Sequence, residues 1–370
     1  MTADLTRRQW IGTLGTTAAA VTGGCLDQTE ASSSANGNDE ITVAASFFVL
    51  GDLAASVAGD VATVETLVPV GQHGHGWQPG PDVMARAIEA DVFVYMAQGF
   101  QPWADDVVEN VRDGDSETVL VEARQGVDLL PAPGDGHSHE GDHDHGTSED
   151  DHDGHEIETD HDEHHNEIHD DDHQNEHQSE EHDSHSEAGG DHEAVDPHFW
   201  LDPRRAATAV ETISERLAAI DEANANHYTD AAASTRERLL ELDARFESTL
   251  ANASRGTVLV AGHNAFQYLG KRYGFDIVSL TGLSPDDSPT SDDLRRAQAV
   301  VEEHGLDHVL APVMESDRAA EGIVADTAAE TVLPVTALPG RHESWVENEW
   351  GYEQIMTEVN LATLEAALDA

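Results

Sequence analysis

Short runs of β-branched and aliphatic residues alternate with segments of helical periodicity along most of the chain, and this rhythm restricts the fold more than any other feature. Residues 41–46 (ITVAAS), 64–70, 91–96 (DVFVYM) and 118–122 read as strands, with helices between them over 48–58, 81–90 and 103–111. The second half repeats the pattern, with strands at 256–262 (GTVLVAG), 275–280 (FDIVSL), 307–313 (DHVLAPV) and 331–338 (TVLPVTAL). Helices fall near 263–273, 291–304, 316–329 and 345–368. Unbroken apolar strands separated by helices imply mostly parallel sheets covered on both faces. At 370 residues the chain is also long for one core. The expected fold is therefore α/β, with two lobes of mostly parallel sheet.

The segment between the lobes is helical. Asp202 and Pro203 form an N-cap and first-turn pair, and Ala206, Val210, Ile213, Leu217 and Ile220 line one apolar stripe. A second helix begins near Glu222, with Tyr228, Thr235, Leu239, Leu242, Phe246 and Leu250 on one face. At about 1.5 Å per residue it spans roughly 40 Å, a stiff connection that predicts small hinge motion. The expected division is 41–221 for the first lobe, 222–253 for the connecting helix and 254–370 for the second lobe.

The charge excludes one class of partner. A formal net charge of −56 is too negative for nucleic-acid binding, and a cationic partner is expected instead. Residues 135–193 hold 15 histidines and 24 acidic residues without a lysine or arginine. Such a tract cannot bury enough surface to fold and is expected to be disordered, its histidines and carboxylates offering many weak, exchangeable sites for divalent metal. The remainder of the chain is also acidic, and Lys271 is its only lysine. That composition suits a protein working in concentrated salt.

The N-terminus carries an address. Thr6, Arg7, Arg8, Gln9, Trp10 and Ile11 match the twin-arginine export pattern and precede an apolar stretch too short to span a bilayer, so 1–24 reads as a signal peptide. Cys25, the only cysteine, follows Gly23 and Gly24 as in a lipobox, which predicts acylation there and a flexible tether over 25–40. One cysteine excludes an internal disulfide. The expected location is extracellular, anchored to the outer face of the cell membrane.

Three single histidines stand in separate folded contexts. His75 lies in a glycine-rich loop between a strand and the helix that starts at Pro81; His198 lies between Pro197 and Phe199, just before the Asp202 cap; His263 ends the GTVLVAG strand. Strand carboxyl ends are where open α/β folds hold ligands, and Asp196 or Asp202 could hold the second ring nitrogen of His198. Each histidine alone also fits an ordinary solvated or cap-region role. Together they suit a cleft site.

The strings HGWQPGPDV around His75, DPHFWLDP around His198 and AGHNAFQYLGKRYGF around His263 are similar, in order and spacing, to the zinc and manganese receptors of ABC transporters, the cluster A-I family, here of haloarchaeal type. The resemblance runs from about Ile41 to the C-terminus, excluding the acidic tract. It implies a metal cleft between lobes joined by one long helix, with His75, His198 and His263 as ligands, and it places a histidine-rich loop where residues 135–193 lie. Relatives that prefer manganese commonly carry Glu in place of His263, and imidazole nitrogen suits zinc, so Zn²⁺ is expected over Mn²⁺. The family's fourth ligand is an Asp before the last helix, near a Tyr and an Asn. Tyr352 and Asn360 look like those markers, but only Glu347 and Glu349 are available nearby; Glu349 is the expected ligand, with Glu347, a water or another carboxylate as alternatives.

The implied function is capture of Zn²⁺ by a monomeric, lipid-anchored receptor and its delivery to an ABC permease and ATPase. An alternative class is a secreted zinc hydrolase with three histidines and an activated water. No HExxH string is present to support it. A manganese receptor, or a metal buffer or adhesin without a transporter, also stays open.

Overall fold

The computed structural model describes residues 40–74, 77–132 and 195–370. The export signal, Cys25, the acidic histidine tract and His75 lie outside these residues. The first lobe runs β1 (Ile41–Ala45), α1 (Phe48–Ala58), β2 (Ala62–Thr66), α2 (Pro81–Glu89), β3 (Val92–Tyr95), α3 (Pro102–Asp113) and β4 (Val119–Glu122). Two helices follow, α4 (Pro203–Ile220) and α5 (Ala225–Leu250). The second lobe is β5 (Thr257–Val260), α6 (Gln267–Tyr273), β6 (Asp276–Ser279), α7 (Ser291–His304), β7 (His308–Pro312), α8 (Arg318–Asp326) and β8 (Thr331–Val335). The chain ends with α9 (Glu343–Glu347), α10 (Tyr352–Ile355), a π-helical segment Met356–Leu361 and α11 (Ala362–Leu368).

Both sheets are four-stranded and parallel, in the orders β2-β1-β3-β4 and β6-β5-β7-β8. In each, successive crossovers leave the first strand in opposite directions. A crevice therefore opens at the carboxyl ends of β1 and β3, and another at those of β5 and β7.

Local signals explain the elements that match expectation. The Asp202 carboxylate accepts from the Arg204 amide at 2.9 Å, with Pro203 in the first turn of α4. Thr290 and Asp293 close a capping box at the start of α7, and Gly305, in the left-handed region, ends it. The second sheet is buried on both faces by strict alternation: Val258 and Val260 join the large core that runs through both lobes, while Leu259 and Ala261 join a smaller one with Val301, Val309 and Ile323.

Helix α5 has 26 residues, close to 39 Å at about 1.5 Å per residue. Its Asp243, 1% exposed, ties α4 to α6. Arg204 of α4 donates to it at 2.6 Å, Arg272 of α6 at 2.9 and 2.7 Å, and the Tyr273 hydroxyl at 3.2 Å.

Two expectations are corrected. The second strand covers Ala62–Thr66 rather than 64–70, because the chain beyond Leu67 turns away from the sheet and leaves Val70 exposed. The helix expected over 345–368 is interrupted after Glu347: Glu349 takes a positive φ of 57°, and Gly351 packs against the Asp52 carboxylate of α1. That carboxylate accepts from the Tyr352 amide at 2.9 Å, so the first lobe caps α10 of the second. The cap lies 300 residues away in sequence.

Candidate metal centre

His198 and His263 meet where the two lobes face each other. His263 follows β5 and Glu315 follows β7, so both stand at the reversal point of the second sheet. Phe47 follows β1 and Phe100 follows β3, the equivalent point of the first sheet. His198 enters from the short 3-10 turn Phe199–Leu201 that precedes α4.

The two rings are each 1% exposed and their centroids are 5.5 Å apart. Two imidazoles bound to one tetrahedral zinc at about 2 Å per nitrogen have centroids separated by about 5 Å, so the pair needs little adjustment to share an ion. Each ring is oriented by a carboxylate. His198 Nδ1 lies 2.8 Å from Asp196, and His263 Nδ1 lies 2.5 Å from Glu315. The His198 amide also donates to Asp196 at 2.9 Å. A carboxylate on Nδ1 fixes the ring orientation, leaves Nε2 as the nitrogen that coordinates, and raises its basicity. Nε2 of His263 is buried and has no hydrogen-bond partner among the described residues.

The segment carrying His198 is clamped by both lobes. Tyr268 donates from its hydroxyl to the Asp196 carbonyl at 2.8 Å while accepting from the Leu130 amide at 2.9 Å. Trp200, its ring centroid 5.3 Å from that of His198 and tilted by 59°, donates to the Ala337 carbonyl at 2.7 Å, and the Tyr352 hydroxyl donates to the Trp200 carbonyl at 2.6 Å. Gly262 has no room for a side chain: a Cβ there would sit 2.5 Å from Pro312 and 2.7 Å from Glu315.

A further histidine, one the sequence reading did not single out, lies near this pair. His73 lies with its ring centroid 6.0 Å from that of His263. Its loop is held against the second lobe, with the Gly71 amide donating to the Arg341 carbonyl at 2.8 Å. Gln101 donates to the Gly74 carbonyl at 2.9 Å, and a Cβ on Gly74 would approach the Pro339 carbonyl to 2.7 Å. His75, the expected ligand two residues on, lies outside the described residues. Sequence reasoning passed over His73; the spacing His-Gly-His, which puts two imidazoles on one loop, was the signal for it. Glu349 is exposed and is not among the residues that line the enclosed cavity with the histidines.

Burial favours the neutral form of His73 and His198. Burial pushes the His73 pKa down to about 4, with His263 adding to the shift, and burial likewise lowers that of His198 against the pull of Asp196. The enclosed cavity between the histidines, Phe47, Phe100 and Trp200 measures about 10 Å³. That is the size of one water or one ion. Among the described residues alone, no group of three His, Cys, Asp or Glu side chains is assembled closely enough to hold a metal ion.

Residues 43–367 match the family model described as zinc-uptake complex component A, periplasmic. The chain is 26% identical over 344 residues to the high-affinity zinc uptake system protein ZnuA of Bacillus subtilis (strain 168), covering 93% of this chain and 92% of that protein. It is 26% identical over 332 residues to the zinc-binding lipoprotein AdcA of Streptococcus pneumoniae (strain ATCC BAA-255 / R6), covering 89% of this chain but only 56% of AdcA. The fold is shared with the Zn(II)-bound ZnuA-like domain of S. pneumoniae AdcA (TM-score 0.64, 22% identity, 90% of this chain and 100% of that domain). It is shared also with the metal-dependent lipoprotein YcdH of B. subtilis (TM-score 0.64, 23% identity, 89% and 100% of the two chains).

Proposed function

Because the chain belongs to the family of the periplasmic zinc-uptake complex component A, we propose that it is the extracellular receptor of an ABC uptake transporter, capturing Zn²⁺ between its two lobes for delivery to the permease and ATPase. The observation that carries this reading is the buried pair His198 and His263, each with a carboxylate on Nδ1. Neutral imidazoles are the form that coordinates, and burial holds His198 in that form at neutral pH. Nitrogen donors favour zinc over manganese.

The ligand set proposed is His75, His198 and His263, with Glu349 as the fourth in the loaded state. Glu349 reaches the ion only if the turn at 348–351 moves inward, since it is exposed here. The match to a zinc-uptake component over residues 43–367 favours capture over a hydrolase. Export through the twin-arginine signal, acylation of Cys25 and a halophilic origin complete the proposal. Among the described residues no helix is long and apolar enough to cross a membrane.

Native mass spectrometry with Zn²⁺ and with Mn²⁺ tests the reading. The full chain is expected to retain one zinc against a chelator that strips weaker sites, and His198→Ala and His263→Ala to lose it. Retention of that ion by both variants, or preference for Mn²⁺, contradicts the proposal. The tract 135–193 is proposed to gather zinc at low affinity. Deleting it should remove weak sites and leave the tight one; a collapse of the tight site refutes that role.

A further inference from the structure

Beside the enclosed cavity lies a second, open one of about 780 Å³ between the lobes, lined by Asp286, Asp287 and Glu315 together with Trp77, Met314 and Arg318. His73 lines both the open cleft and the enclosed cavity; His198 and His263 line only the enclosed one. Glu315 is shared in another sense: it faces the open cleft and its Oε1 lies 2.5 Å from Nδ1 of His263. Asp286 and Glu315 are both close enough to act electrostatically on the His73 ring.

We propose that His73 is a hand-over ligand, taking a divalent cation from the acidic outer cleft and passing it to the enclosed histidine pair. This inference rests on the reading of His198 and His263 as the metal-holding pair and adds a path to it. The physical need is clear. A hydrated divalent ion cannot fit a cavity of about 10 Å³, so its water must be exchanged for protein donors in steps at the boundary. The outer carboxylates raise the local cation concentration and offer weak oxygen ligands. An imidazole at the mouth then supplies the first nitrogen, and the loop that bears it is fixed to the second lobe by the contacts of Gly71 and Gly74.

The path predicts a split between rate and affinity. Half an equivalent of Co²⁺ is mixed with the full-length protein in a stopped-flow instrument, and the intense visible band of tetrahedral, nitrogen-bound Co²⁺ is followed. Six-coordinate ions on scattered carboxylates absorb only weakly in that window, and the same variants made in the protein lacking 135–193 remove any band from the histidines of that tract. His73→Gln is expected to slow appearance of the band about tenfold or more, with final intensity and retention against a chelator unchanged within about twofold. Asp286→Asn with Asp287→Asn should slow it further and flatten its dependence on salt. Loss of the band in His73→Gln would make His73 an indispensable ligand and overturn the hand-over role. An unchanged rate in both variants would overturn it too. His198→Ala is the separate control: a full band in that variant sinks the metal-site reading itself, whatever His73 does.

Discussion

Replacing Asp243 with alanine removes a single carboxylate that ties α4, α5 and α6 together. Asp243 is 1% exposed and accepts three bonds shorter than 3 Å from Arg204 and Arg272. Burial acts to raise its pKa, but the hydrogen bonds from Arg272 and Arg204 win and hold it below the usual carboxylate range. Breaking a buried pair by removing one partner costs about 3–5 kcal/mol. Here the cost falls at the low end, because the two arginines are not equally stranded. The Arg204 side chain is 57% exposed and returns to water, while Arg272 is 21% exposed but keeps Glu247 at 2.5 Å. We therefore expect Asp243→Ala to lose about 3 kcal/mol. With an unfolding entropy of about 2.1 cal/mol/K per residue over roughly 300 residues, that loss lowers Tm by about 5 °C. Urea titration followed by circular dichroism, run beside Arg204→Ala and Arg272→Ala, reads the magnitude. Arg272→Ala should cost more than Arg204→Ala, since it removes two of the three short bonds. A loss under about 1 kcal/mol for Asp243→Ala, or the reverse order of the arginines, refutes the reasoning.

Other perturbations follow from the same geometry. Asn360 is fully buried; its Oδ1 accepts from the Thr336 amide and its Nδ2 donates to the Thr336 carbonyl, each at 2.9 Å. Asn360→Ala leaves both backbone groups unpaired and should cost about 2–4 kcal/mol in chemical denaturation, with Asn360→Leu no better. Glu315→Gln weakens the partner of His263 Nδ1, and calorimetry should find the tight zinc site weakened about 10–100-fold without loss of folding; unaltered affinity removes Glu315 from the site. The metal-free protein should lose stability on acidification. His73 titrates near 4 when folded, against about 6.5 in the unfolded chain, so the unfolded state takes up its proton first. This contribution is complete above about pH 6.5 and declines as pH falls toward 4, with about 2 kcal/mol of it lost by pH 5. A denaturation midpoint that is flat or rises over that window contradicts the burial of a neutral His73.

How much of the molecule could be read in advance depends on the range of the forces involved. Helix α1 and helix α7 fall on their expected residues because their signals are local: an apolar run stopped by Gly59 for the first, a Thr290–Asp293 box and Gly305 for the second. The single helix expected over 345–368 fails because its interruption is decided elsewhere, by Asp52 reaching from α1 to the Tyr352 amide. The histidines divide in the same way. His198 and His263 were recognisable from their flanking strings, and the structure brings their rings together. Glu315 as the partner of His263 was invisible: the two are 52 residues apart and meet only because β5 and β7 are adjacent in the sheet.

The sequence by itself determined the two α/β halves, the helical connection between them, the overwhelming acidity and the histidine-bearing motifs, since periodicity, caps and composition act over a few residues. Tertiary structure alone decided which side chains meet. It set His73 beside His263, gave each ring of the central pair its carboxylate, and sealed them in a cavity of ionic size. The reason is physical: strand order and lobe docking place carboxyl ends opposite one another, and no local propensity encodes a distance between residues that are far apart along the chain.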